Sequence, residues 1–349
     1  MNSYFSKQKK CCRRLFPAFP PISPPEIRVL AYVSNSGGDP TADTVSVINT
    51  TTNTEIFPRI PVGDDPLGIA ITPDGLRAYV TNSDENTVSV IDTTTNMVIG
   101  NPIPVGNVPF GIAITPDGSR AYIANLVDDN ISVINTATNT EIFPRIPVGN
   151  DPVGIAITPN GSRVYVTNSF SHNVSVINTA TNNEILPRIP VGELPIGIAI
   201  TPNGSRAYVT SGFIDGTDDT VSVINIFTNT EILPRIPVGD GPRGIAITPD
   251  GSRAYITNLA DNNISVINTA TNTEILPRIP VGDAPIRIAI TPDGTRAYIT
   301  NLADNNISVI NTTANSEILP RIPVGDFPFA IAIAIIPTLS NISCSSVFY

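Results

Sequence analysis

The chain has 349 residues, 41% of them hydrophobic and 14% charged, with a net charge of −10. That apolar content fills a core, and low charge with 34 prolines and 24 glycines suits short strands joined by tight turns. An acidic body repels phosphate and so argues against nucleic-acid binding. No window approaches the roughly 20 apolar residues of a membrane-spanning helix.

Residues 1–26 read as a leader. It holds Lys7, Lys9, Lys10, Arg13 and Arg14 with no acid before Glu26, and a solvated, poorly ordered tail is the expectation. The stretch from Leu15 to Pro25 is broken by five prolines, so it forms a stiff extended linker and not the apolar centre of a signal peptide. Cys11, Cys12 and Cys344 all fall outside the patterned part of the chain, which leaves no disulfide framework.

From residue 27 a single unit recurs. Its cleanest copy, residues 242–258, reads Pro-Arg-Gly-Ile-Ala-Ile-Thr-Pro-Asp-Gly-Ser-Arg-Ala-Tyr-Ile-Thr-Asn. The Ile-Ala-Ile core starts at Ile69, Ile112, Ile155, Ile198, Ile245, Ile288 and Ile331. One repeat position holds seven of the nine tyrosines, from Tyr32 to Tyr298. A period of about 40–45 residues is that of a propeller or a related array.

Each unit predicts four strands. The first, Ile245–Thr248 in the cleanest copy, is apolar on both faces and so needs neighbours above and below it. Pro249-Asp250-Gly251 makes the turn into a second strand, Arg253–Thr257. A polar loop leads to the third strand, Ile264–Ile267, and Asn268–Asn272 turns into the fourth, Glu274–Val281. Pro277 and Pro280 remove ladder donors, which places the fourth strand at an outer edge.

Seven copies of the third strand are present. The first unit lacks its own Ile-Ala-Ile strand, while the one at Ile331 has no strands after it. The expectation is therefore an all-β, seven-bladed β-propeller of four-stranded antiparallel blades over residues 27–336, its first blade completed by the C-terminal strand. Residues 337–349 form a tail with no assigned place.

The words Ala78-Tyr79-Val80-Thr81-Asn82 and Val164-Tyr165-Val166-Thr167-Asn168, with the surrounding Thr-Pro-Asp-Gly and Val-Ser-Val-Ile words, resemble the YVTN-type β-propeller repeats over roughly residues 28–335. The resemblance implies proteins of the cell surface or periplasm that mostly bind and do not catalyse. The same broad group contains lactonases and lyases.

Comparison of the copies with one another locates the variable positions. They concentrate in the loop before the first strand and in the loop between strands two and three, which leave a four-stranded blade at the same end. That end carries the expected binding face around the channel mouth, with Phe110, Leu194, Ile196, Arg243, Phe327 and Phe329 as candidate contacts for a protein or small ligand. Acids such as Asp84, Glu85, Asp128, Asp129, Asp218, Asp219, Asp261 and Asp304 would rim it.

Catalytic signals are sparse. His172 is the only histidine and sits in a polar loop, and no Gly-x-Ser-x-Gly turn is present. The Asp215–Asp219 loop has oxygen ligands but no EF-hand spacing, so no metal and no cofactor are expected. Glu–Arg pairs four apart on the fourth strand read as surface ion pairs, and the arginines after the first turn read as partners of that turn's aspartate or asparagine. The function expected is a non-catalytic, monomeric binding or scaffold propeller. The alternatives are a lactonase-like hydrolase or lyase working at the channel mouth, and a structural surface-layer component.

Overall fold

A computed structural model describes residues 27–37, 43–212 and 218–337. The basic leader, the three cysteines, the C-terminal tail beyond Pro337 and most of the Asp215–Asp219 loop lie outside the described residues. Among the described residues there are seven antiparallel sheets, and in six of them the strands run from the inside outward in chain order. The first blade is the exception to chain order. Its inner strand is Pro328–Pro337, followed by Ile27–Asn35, Thr44–Asn49 and Thr54–Pro61. Tyr32 lies opposite Ala332 and Leu30 opposite Ala334 in that closing pair. The two ends of the described chain thus complete one sheet, as the repeat arithmetic requires.

The outer strands follow from their prolines. Val45 faces Ile60 while Val47 faces Ile56, so residues 57–59 bulge away opposite Ser46, and Pro58 falls inside that bulge where no ladder donor is needed. Five other blades repeat the arrangement. The second blade differs, because its sequence has no Glu-x-x-Pro-Arg word. Its outer strand is split into Met97–Val98 and Ile103–Pro104, both paired with Thr87–Asp92.

The core lies between blades. Tyr122, Ile131 and Val133 of the third blade pack on Val164, Val166 and Ile177 of the fourth, and equivalent clusters fill each junction, including that between the seventh blade and the first. All seven repeat tyrosines are fully buried. A buried phenol needs a hydrogen-bond partner. Each hydroxyl finds one in the next blade, donating at 2.7–2.9 Å to the Oδ1 of an asparagine in the turn between strands three and four. Those asparagines sit at positive φ, which asparagine tolerates better than most side chains.

The turn arginines join the same joint, which corrects the expectation of pairing within their own turns. Arg77 Nη1 donates to the Thr136 carbonyl at 2.7 Å and Arg120 Nη1 to the Thr179 carbonyl at 2.6 Å, each one blade further on. The turn carboxylates are occupied locally instead, Asp117 accepting from the Thr115 hydroxyl and the Ser119 amide. The Glu–Arg pairs are firmer than exposed ion pairs. Arg59 Nε and Nη2 meet the two oxygens of Glu55 at 2.8 and 3.2 Å, and that carboxylate is only 6% exposed.

Candidate functional site

Seven inner strands surround the axis, and the residues at their entrance decide how much room is left. In five blades the position before Ile-Ala-Ile is glycine. A Cβ at Gly68, Gly111, Gly154 or Gly197 would lie 2.1–2.2 Å from a carbonyl oxygen of the neighbouring inner strand, so close approach of the backbones demands glycine there. Along the axis a cavity of about 150 Å³ remains, walled by these glycines and by isoleucines such as Ile69, Ile112 and Ile155.

Two blades depart from the glycine rule. The first has Ala330, and the seventh has Arg287. In the seventh blade the strand bulge closes one step earlier than in its neighbours, so that Arg287 pairs with Thr300. The Arg287 guanidinium lies 5.3 Å from the centroid of the Phe329 ring and 5.8 Å from that of Phe110. The two rings meet edge to face at 5.3 Å. They come from the first and third blades, so the three side chains reach across the channel mouth.

The electrostatics are unusual for a guanidinium. Arg287 is half-buried, with protein crowded around its guanidinium. Among the described residues the guanidinium makes one hydrogen bond, a long one from Nη1 to the Ile286 carbonyl at 3.4 Å, and no ion pair. Burial without a counter-charge, with repulsion from Arg243, lowers it to about 10. Burial also lowers Arg243, opposed by the charge of Asp219, and Arg243 Nη1 donates to the Gly212 carbonyl at 3.3 Å.

Of the residues expected from sequence, Phe110, Arg243 and Phe329 gather around this group, and Ile196 lines the channel below them. Leu194 and Phe327 do not. They occupy the loop position that takes positive φ in every blade, and Phe327 is 50% exposed on the rim. Arg287 was missed, although the internal comparison carried the signal. One copy alone replaces a glycine, in a word otherwise constant at both ends, with the bulkiest cation available.

The rim acids and the histidine are absorbed by loop structure. The amide at the positive-φ position is held by a side chain of the loop between strands two and three: Asp129 Oδ1 takes the Asp151 amide at 2.9 Å, and Asn262 Oδ1 takes that of Ala284 at 2.9 Å. His172 fills the same place, its Nδ1 accepting from the Leu194 amide at 3.0 Å. Asp128, Asp261 and Asp304 pair with Arg145, Arg278 and Arg321 of the outer strands. Among the described residues no group of three His, Cys, Asp or Glu side chains could hold a metal ion.

Residues 63–189, which span the second to fourth blades, match the family model described as lactonase, 7-bladed beta-propeller. No curated protein matches the chain. Among solved structures, a functionally unknown protein from Desulfotomaculum acetoxidans is 20% identical with a TM-score of 0.76, covering 88% of this chain and 99% of that one. A candidate 6-phosphogluconolactonase from Bacteroides uniformis is 19% identical at a TM-score of 0.73, with coverage of 88% and 99%. Hydrazine synthase from Kuenenia stuttgartiensis is 21% identical at 0.69, with coverage of 78% and 95%. These structures share the fold. The lactonase-family match overturns the expectation of a non-catalytic binding or scaffold protein and favours the alternative, a propeller hydrolase.

Proposed function

We propose that the chain is a lactonase-like hydrolase that opens a cyclic ester at the mouth of the axial channel. The observation that carries this reading is the match of residues 63–189 to the lactonase propeller family. The name of the Bacteroides uniformis structure points the same way, and the channel mouth offers chemistry suited to the task.

In lactone hydrolysis a water adds to the carbonyl carbon, the ring C–O bond breaks, and the departing alkoxide takes a proton to give a hydroxy acid. Negative charge grows on the carbonyl oxygen on the way. Fixed donors in a site with little water stabilise that charge far better than donors in bulk solvent. Arg287 and Arg243 are such donors, and the Phe110 and Phe329 rings hold the Arg287 guanidinium in place without using its N–H groups. His172 serves a loop amide in this scheme and takes no part in the reaction.

The test is ring opening of unsubstituted and sugar γ- and δ-lactones by the purified chain, followed by pH-stat. Hydrolysis above the spontaneous rate is expected, and Arg287→Gly should lower it roughly a hundredfold, the usual cost of one oxyanion donor. A rate equal to the spontaneous one across the panel would overturn the reading.

A further inference from the structure

We propose that the neck of the channel is an oxyanion-binding site, in which Arg287, with Arg243 beside it, takes the carboxylate- or phosphate-type group of a small ligand. The ligand's identity as the product acid of the site rests on the hydrolase reading; the anion site itself does not.

Donor supply comes first. A guanidinium carries five N–H donors in a fixed fork. Arg287 spends one, on a 3.4 Å contact to the Ile286 carbonyl, and has no carboxylate partner among the described residues. The aromatic rings of Phe110 and Phe329 attract its charge but accept none of the remaining donors in the ordinary sense. A second cation, Arg243, adds repulsion that a bound anion would relieve. Removing charge from water without a partner is expensive, and a bidentate oxyanion is the group that matches this fork.

Position comes second. The arginine stands where five other blades carry glycine for reasons of backbone packing, so the fold does not require a cation there. Space comes third. A cavity of about 150 Å³ is the size that holds one benzene-sized molecule. The isoleucine walls suit a compact carbon skeleton, and the arginine end suits one anionic group. A short hydroxy acid has that shape. Its carboxylate arises at the carbonyl carbon that the guanidinium polarises, so the product should be retained more tightly than the neutral lactone and should inhibit turnover.

Isothermal titration of the full chain with 4-hydroxybutyrate, gluconate and inorganic phosphate at constant ionic strength tests the site. Saturable binding is expected, weakened about tenfold or more in Arg287→Gly, the loss of one or two charged hydrogen bonds. Arg287→Met serves as the second variant, and unchanged melting of either shows that the fold persists. Tighter binding of a carboxylate assigns the site to a product acid, and tighter binding of phosphate assigns it to a phosphorylated ligand. No saturable binding of any of the three, or equal affinity in the variants, overturns the proposal. Anion binding without lactone opening leaves the site standing and removes the hydrolase reading, and lactone opening with no anion bound does the reverse.

Discussion

Tyr298 of the seventh blade donates its hydroxyl to Asn53 of the first at 2.7 Å, across 245 positions of sequence. The same hydroxyl reaches the Thr50 carbonyl at 3.1 Å, as does Arg296 at 2.7 Å. The tyrosine–asparagine bond recurs at every other junction and the arginine–carbonyl bond at five of those six, so the seam of the ring is built like the rest. Removing residues 326–349 spares those bonds but strips the first blade of its inner strand, including the buried Ala330, Ile331, Ala334 and Ile336. With large aliphatic side chains stabilising by about 1.5–3 kcal/mol each, the truncated chain should melt far below the full chain or aggregate, by calorimetry. Tyr298→Phe, which costs only the hydroxyl bonds, should lose about 1–2 kcal/mol in urea unfolding.

A second junction is weaker than it needs to be. The hydroxyl of Thr81 accepts from the Gly68 amide at 2.7 Å and donates to the Phe110 carbonyl of the next blade at 2.9 Å. Ser34 and four further threonines do the same in their blades. The third blade has Ala124 at this position, fully buried. Ala124→Thr should supply the missing link to the Val153 carbonyl and raise stability by about 0.5–1.5 kcal/mol, read as a higher urea midpoint at unchanged slope.

His172 distinguishes loop structure from catalysis. Its ring stands where other blades place asparagine or aspartate, at a φ of 51°. His172→Asn should therefore melt like the parent and keep full lactone-opening activity. His172→Ala, which leaves the Leu194 amide without its acceptor, should cost about 1 kcal/mol. A large drop in turnover for the asparagine variant would show that the histidine acts on substrate.

Acid should loosen the turns between the first and second strands. Asp117, Asp250 and Asp293 are each held below the ordinary carboxylate range, first by the hydroxyl of the preceding threonine and then by the amide two residues on. A depressed folded value means that the stabilisation is complete above the ordinary value of 3.8 and is lost as pH falls through the lower one. Two other blades have Asn160 and Asn203 in the same role, with no proton to gain. Replacing the three aspartates by asparagine should flatten the dependence of the melting temperature on pH below about 4.

The architecture could be read from the residues because the chain states its unit seven times. Apolar Ile-Ala-Ile, proline in the outer strand, and the surplus strand at Ile331 each fix one geometric fact, and together they leave one closed ring. The site was legible in part. Phe110, Arg243 and Phe329 stood out as variable positions beside the channel, whereas Leu194 and Phe327 varied equally and face elsewhere, because variability does not reveal the turn of a left-handed loop residue. The turn arginines were misplaced for a related reason. Their partners lie one blade away, some 59 residues further along for Arg77, and spacing within a unit says nothing about contacts between units.

Seven near-identical walls would present a guest with seven equivalent ways to lie in the tube. Arg287 breaks that equivalence at a single spoke of the wheel. One replaced glycine therefore gives the pore a compass direction: a molecule with one charged end has a single bearing to adopt, toward Arg287 with Arg243 beside it.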